Sequence, residues 1–456
     1  MTLSKSFLFS LLLAALPAFA QDGTSATPVP AVSSPAVSLP VNLDQGEDRM
    51  LTPPPVSGQA YPLSAPAEGR SNYLRGGVTG SASYSDNVLG SASSVPISDV
   101  SYSVWPTISL DETTTRLHTV LSYAPGFTFY ERVTSRNEAD QNVSLTGQYR
   151  LSPHVTVSVA DAFQKSSNVY NQPDQGLAVG VSGSAQSVND SIVAPLADRL
   201  NNYGSVGLTY QFSANAMVGV GGTFSNLHYP TPAQVPGLSD AASRAGSAFF
   251  SYRSAKQHYF GVTYQYQELL SYPVSTNETQ TDGVLFFYTF VPSPGFSLSF
   301  FGGPQYYNSG SQFIAPTQPI IAPAHAWTPT AGGSLNWQSL RTGIAVSYSR
   351  GVSSGGGLVG AVEFDSANAS VRQRITRNLN ASLAGYYANN GVLSIASLGG
   401  HSISGSAALQ RQVGEHFNLQ AGYTRLHQDY SGFNANPDTN REWVSVAWQF
   451  ARPIGR

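Results

Sequence analysis

The stretch VSYSVWPTISL, Val100 to Leu110, sets Val100, Tyr102, Val104, Pro106, Ile108 and Leu110 on one side of an extended chain and Ser101, Ser103, Thr107 and Ser109 on the other. One face is apolar and the other wet, which is the period-two signature of a strand between two different environments. Asp111-Glu112-Thr113-Thr114 then turns the chain. Leu117, Thr119, Leu121, Tyr123, Phe127 and Phe129 resume the alternation opposite His118, Ser122 and Thr128. Two such runs joined by a short polar turn read as a hairpin.

The unit recurs along the chain. Val143, Leu145, Tyr149 and Leu151 lead through Ser152-Pro153 to Val155, Val157 and Val159. Val206, Leu208, Tyr210 and Phe212 lead through Ser213-Ala214 to Ala216, Val218, Val220 and Phe224. Further short turns fall near 253–256, 292–294, 338–340, 376–377 and 413–415. The other connections are long and polar, near 87–98, 131–138, 167–199, 227–242, 269–280, 308–326, 351–360, 389–399 and 430–439. Short connections on one rim and long ones on the other are the organisation of a transmembrane barrel, with its turns in the periplasm and its loops outside. The expected fold class is therefore all-β: a transmembrane antiparallel β-barrel of about 18 strands over residues 74–456, with both ends periplasmic.

A soluble sandwich or propeller also alternates, so the aromatic residues decide between them. On the apolar faces Tyr149, Phe212, Tyr252, Phe296, Trp337 and Phe450 fall beside short turns. Phe129, Phe224, Tyr266, Tyr306, Trp327, Tyr387 and Tyr423 fall beside long loops. Two interfacial girdles of this kind belong to a membrane barrel. Composition agrees: 11% of the 456 residues are charged, against about 25% in soluble domains. Two places resist the pattern. Residues 284–290 are apolar on both faces, leaving their register open, and Asp161 lands on the apolar side of the fifth strand, where a local bulge or a different register is expected.

Residues 1–20 carry Lys5, an apolar core and the small-x-small ending Ala18-Phe19-Ala20, the pattern of a secretory signal. Residues 21–73 hold nine of the 29 prolines, including Pro53-Pro54-Pro55, and read as a disordered, Pro-rich periplasmic linker. A net charge of −3 gives no footprint for nucleic acid. With no Cys, disulfides, thiol chemistry and a bacterial lipid anchor are excluded.

Because outward positions meet outer-membrane lipid, chemistry is confined to the lumen, the loops and the N-terminal arm. The inward positions offer Ser101, Ser103, His118, Ser122, Gln148, Gln211, Gln265, Asn336 and Gln420, hydroxyls and amides suited to neutral solutes or glycans, or simply a wet lining. Arg372 and Arg374 share one inward face, with Arg377 at the adjoining turn, and read as a basic rim at the periplasmic mouth. No nucleophile elbow, His-Glu-x-x-His or phosphate-binding loop occurs, so neither an enzyme nor a cofactor is expected. The 167–199 loop, the longest, reads as a mobile surface loop or one folded into the channel.

Tyr84-Ser-Asp-Asn-Val88, the strand Val100–Leu110, the strand Asn142–Leu151 and the turn Leu151-Ser-Pro-His154 together resemble the outer-membrane β-barrel porin families of Gram-negative bacteria. Many members are associated with extracellular-polysaccharide export. The resemblance implies an outer-membrane location and a part in solute passage or glycan secretion; a structural or adhesive barrel is the further alternative. The last strand, Glu442 to Phe450, resembles the aromatic-ended terminal strand that barrel-assembly machinery recognises, here followed by six more residues.

Overall fold

The computed structural model describes residues 72–90, 96–167, 197–231, 238–272, 277–293, 295–310, 323–358, 360–393, 399–431 and 438–453. The expected signal segment, nearly all of the Pro-rich linker and residues 168–196 of the longest loop lie outside them. The described residues belong to one compact unit, Ser34–Arg456.

Eighteen strands form a single sheet. In chain order they are β1 (Tyr73–Ser85), β2 (Asp99–Thr113), β3 (Leu117–Tyr130), β4 (Glu138–Arg150), β5 (Val155–Ser166) and β6 (Arg199–Ser213). Next come β7 (Ala216–His228), β8 (Asp240–Ala255), β9 (His258–Tyr272), β10 (Asn277–Ser293), β11 (Phe296–Ser309) and β12 (Ala324–Gln338). The last six are β13 (Thr342–Ser353), β14 (Val362–Arg374), β15 (Leu379–Val392), β16 (Gly399–Val413), β17 (Phe417–Tyr430) and β18 (Asp438–Pro453). Each pairs antiparallel with its chain neighbours, and β1 pairs with β18 from Tyr73↔Pro453 to Ser85↔Arg441. The sheet therefore closes and has no free edge, the condition for strands to cross a bilayer.

Followed along the register pairs around the wall, the barrel closes with a stagger of about 22 residues, which tilts the strands by about 40° and makes a backbone cylinder roughly 34 Å across. Val78, Tyr84, Tyr102, Val104, Ile108, Leu121 and Phe127 are exposed and lie in register on one face. That face is the outside. Exposed Tyr149, Phe212, Tyr252 and Trp337 mark its periplasmic girdle, and Phe129, Phe224, Tyr266, Trp327, Tyr387 and Tyr423 the extracellular one. An apolar outer belt between two aromatic rings makes this an outer-membrane barrel.

Three local expectations change. Pairing runs without interruption through Leu145↔Asp161 and Asp161↔Gly204, so no bulge exists there and the carboxylate points outward into the apolar belt. In β10, Val284, Phe286 and Tyr288 are exposed on the outer face while Leu285 and Phe287 are buried on the inner one against Phe301, which settles the open register. Most of the segment expected as a long loop at 269–280 is strand instead, β9 running to Tyr272 and β10 starting at Asn277. The polar run Asn277-Glu278-Thr279-Gln280 pairs with Glu268–Ser271 of β9 as strand, so its polarity was misread as a loop.

Candidate functional site

Every candidate lumen residue falls on the inner face. Ser101 shares a 2.8 Å hydrogen bond with Ser83, Ser103 a 3.0 Å bond with Thr128, and Ser122 a 2.6 Å bond with Ser144. The same cross-strand pairing recurs at Ser225–Ser243, Thr279–Ser309 and Ser349–Ser366. These hydroxyls satisfy one another across the ladder and stiffen the wall, so most are committed to structure before any solute arrives. Gln265 is buried, Gln211 lies on the inner side of β6, and Gln148 stands opposite His118. His118 Nε2 lies 3.5 Å from Asp111, which also lies 3.8 Å from Arg75. That cluster closes the inner wall near the first periplasmic turn.

The wall from β12 to β18 differs. Arg374, Asn380, Gln410, Gln420 and Ser445 are successive register partners, a continuous inward row across five strands. Arg372 stands in the adjacent row between Gly343 and Ser382, and Asn336 lies one row further, opposite Ala345. A side chain added at Gly343 would meet no atom within 4 Å, so the space beside Arg372 is open. Other inward arginines are engaged: Arg75 with Asp111, Arg253 with Asn215 and the Ala214 carbonyl, Arg441 with Ser83. The guanidiniums of Arg372 and Arg374 have neither an ion-pair nor a hydrogen-bond partner among the described residues. The sequence placed the arginines but not Asn380 and Gln410, which counting back from the turns at 375–378 and 414–416 would have aligned with them.

At the extracellular mouth, β12 pairs with β13 only over Ala331–Gln338, and the top of β13 leaves the wall. Arg350 and Thr328 both bond Glu363, at 2.6 and 2.9 Å, where the strands part. Val352 packs inward with Leu269 of β9 and Ala361. The following loop, carrying Gly355-Gly356-Gly357, runs to the β7–β8 connection, where Ser239 N–H donates to the Gly357 carbonyl at 2.8 Å. Leu238 packs against both Leu358 and Tyr229, joining two small apolar clusters into one strap over the mouth. Gly357 has φ 113°, and a Cβ there would sit 2.8 Å from the Tyr229 hydroxyl oxygen, so only glycine fits.

Large rings also face inward, a feature the mild polar reading passed over. Trp105 lies over Gly126, Phe249 over Gly219, Phe287 over Gly261, Phe301 over Gly332 and Trp443 over Gly422. Glycine opposite each ring lets it lie flat on the wall. The signal was present in the decisive stretch itself, since Trp105 shares parity with Ser101 and Ser103.

Among the described residues no group of three His, Cys, Asp or Glu is placed to hold a metal ion. No family model and no curated protein matches the chain. Among solved structures, the outer membrane protein OpdK of Pseudomonas aeruginosa has 8% identity over 84% of this chain and 100% of its own, with a TM-score of 0.42. OccAB4 of Acinetobacter baumannii has 10% identity over 84% of this chain and 99% of its own, at 0.42. The FrpB iron transporter of Neisseria meningitidis has 10% identity over 83% of this chain and 66% of its own, at 0.40.

Proposed function

We propose that this chain is a passive outer-membrane channel that passes small polar solutes and favours anions over cations. The observation that carries this reading is the pair of guanidiniums, Arg372 and Arg374, without partners among the described residues and on an open part of the inner wall. Each offers a fork of donors to a carboxylate or phosphate, and the amide row through Asn380, Gln410 and Gln420 offers donors and acceptors beside it. Passage needs contacts strong enough to attract and weak enough to release. A charge pair on one side of a wide lumen meets that need, because its field decays over about 10 Å at 0.1 M salt.

Planar-bilayer recording under a KCl gradient tests it, using the chain with and without residues 34–71. Stepwise conductance with an anion-selective reversal potential is expected in at least one form. Selectivity should fall when Arg372→Gln and Arg374→Gln are combined. Silence in both forms overturns the channel, and unchanged selectivity overturns the role of the pair.

A second reading, glycan secretion, is supported by the same amide row, whose donors and acceptors match sugar hydroxyls, and by the resemblance carried by Tyr84–Val88. Deletion would then reduce surface polysaccharide while leaving small-solute uptake unchanged. Unaltered polysaccharide removes this reading.

A further inference from the structure

The charge on the outer face differs between the two ends of the barrel. At the extracellular end carboxylates stand among the outward rings: Asp282 accepts from the Tyr264 hydroxyl at 2.7 Å and Asp365 from the Tyr348 hydroxyl at 2.7 Å. Arginines there have carboxylates beside them, Arg244 with Glu268, Arg350 with Glu363 and Asp365, and Arg425 with Asp438. At the periplasmic end, from the β12–β13 turn to β16, the pattern reverses. Arg341 lies on that turn, Arg377 on the β14–β15 turn and Arg411 near the end of β16, all three exposed. The one carboxylate along this arc is Glu415, on the following turn.

The guanidiniums of Arg341, Arg377 and Arg411 have neither an ion-pair nor a hydrogen-bond partner among the described residues. Arg411 narrows the choice of what they bind. It shares the outer face with exposed Leu409, and its register partners are Leu379 and Leu419. A cation on the lipid side of the wall, set between leucines, takes its counterion from the headgroups of the membrane. Above it, exposed Ile375, Leu383, Leu409 and Phe417 present an outward apolar surface for acyl chains. Leu340, 96% exposed beside Arg341, adds apolar surface at the level of the turns.

The spacing suits one headgroup. Strands lie about 4.8 Å apart, so turns two strands apart are about 10 Å from each other along the rim, a gap that extended arginine side chains close on a phosphate between them. Their forked donors match its oxygens two at a time. An acidic protein segment could meet Arg341 and Arg377 from the periplasm, but it cannot reach Arg411 without leaving water for the lipid face.

We propose that the arc Arg341, Arg377 and Arg411 binds an anionic glycerophospholipid of the periplasmic leaflet, with its phosphate between the guanidiniums and its acyl chains along Ile375, Leu383 and Leu409. Held there, the lipid ties three hairpins together beside the β12–β13 seam, which has the shortest ladder in the wall, Ala331–Gln338. Arg372 and Arg374 face the lumen and take no part, so the site does not rest on the channel reading.

Native mass spectrometry of the full chain in detergent, titrated with phosphatidylglycerol or with phosphatidylcholine, tests the site. Phosphatidylglycerol should be retained at least about tenfold more tightly, since each arginine near an anionic surface adds about fivefold. Arg341→Gln, Arg377→Gln and Arg411→Gln together should bring it down to the phosphatidylcholine level, whereas Arg244→Gln with Arg425→Gln, at the other end, should leave it unchanged. Heat-modifiable mobility in detergent gels shows which variants are assembled. Should the triple variant fail to assemble, Arg411→Gln alone replaces it, with a weakening of about fivefold expected. Undiminished retention in the triple variant, or in Arg411→Gln where that replaces it, overturns the proposal. An equal loss in the Arg244/Arg425 pair means diffuse attraction rather than a site, and overturns it too. Equal retention of the two lipids also overturns it, and binding of a polyglutamate peptide in that case makes the arc a surface for an acidic protein instead.

Discussion

The Tyr229 hydroxyl donates a 2.9 Å hydrogen bond to the carbonyl of Gly356, tying the end of β7 to the β13–β14 loop across the extracellular mouth. Both partners are buried, so the bond lies in a poorly solvated place where losing it costs about 1 kcal/mol. If the strap opens and closes, Tyr229→Phe should raise its open population about fivefold. Single-channel records then show more frequent transitions to the wider level, with the ring packing and the barrel's melting temperature little changed. An unaltered dwell-time distribution would show that the strap is static.

Where β13 leaves β12, Glu363 accepts from both Arg350 and Thr328, and Arg350 also lies 3.7 Å from Asp365. These side chains are about one-third exposed, so the ion pair itself contributes about 0.5–1 kcal/mol. Glu363→Ala removes the common acceptor and should loosen only the top of the seam. Hydrogen exchange is expected to accelerate in 351–353 and 362–365 and to stay unchanged in the lower halves of the same strands. Acceleration spread along whole strands would instead mean that the clamp supports the barrel globally.

Trp105 and Gly126 face each other on the inner wall, with the indole occupying the space a Cβ at 126 would need. Gly126→Val should therefore destabilise the barrel by about 1–3 kcal/mol through overpacking. In a Trp105→Ala background the same change should cost little, because its obstacle is gone. Urea unfolding of the four proteins gives this coupling directly. Additive effects would mean that the ring does not rest on Gly126 in solution.

The strand count and the apolar belt were readable because they follow from the alternation of faces, and that parity survives any closure geometry. Val100 to Leu110 carries it with no exception on the outer face. What parity cannot carry is depth. The chain gives no sign that Val352 leaves the wall to pack with Leu269, since that contact joins strands four apart and depends on how the loop past Ser353 folds. The use of the hydroxyls was not legible: whether Ser122 serves a solute or Ser144 depends on the relative register of β3 and β4, fixed only when the barrel closes. Arg372 and Arg374 were visible as charges. Their lack of partners among the described residues could be seen only once the neutral row beside them had been assembled from β15, β16, β17 and β18.

Asp161 is the place where sequence and bilayer disagree, and its position makes a quantitative case. It points out of β5 between exposed Val159 and Phe163, with Leu145 and Gly204 as its register partners, so these four nearest neighbours are apolar or lack a side chain. Transferring a carboxyl group into lipid is unfavourable, though less so than a basic side chain, for which the midplane cost is about 2–4 kcal/mol. Asp161→Leu should therefore stabilise the barrel in liposomes by about 1–2 kcal/mol, and Asp161→Asn by less. The gain should disappear in a detergent micelle that admits water to the belt. Loss of stability in liposomes would be the informative reversal, because a carboxylate retained at a favourable energy in the apolar belt must have a protein partner there, and the β4–β6 face would then be an interface within the membrane rather than a surface for lipid.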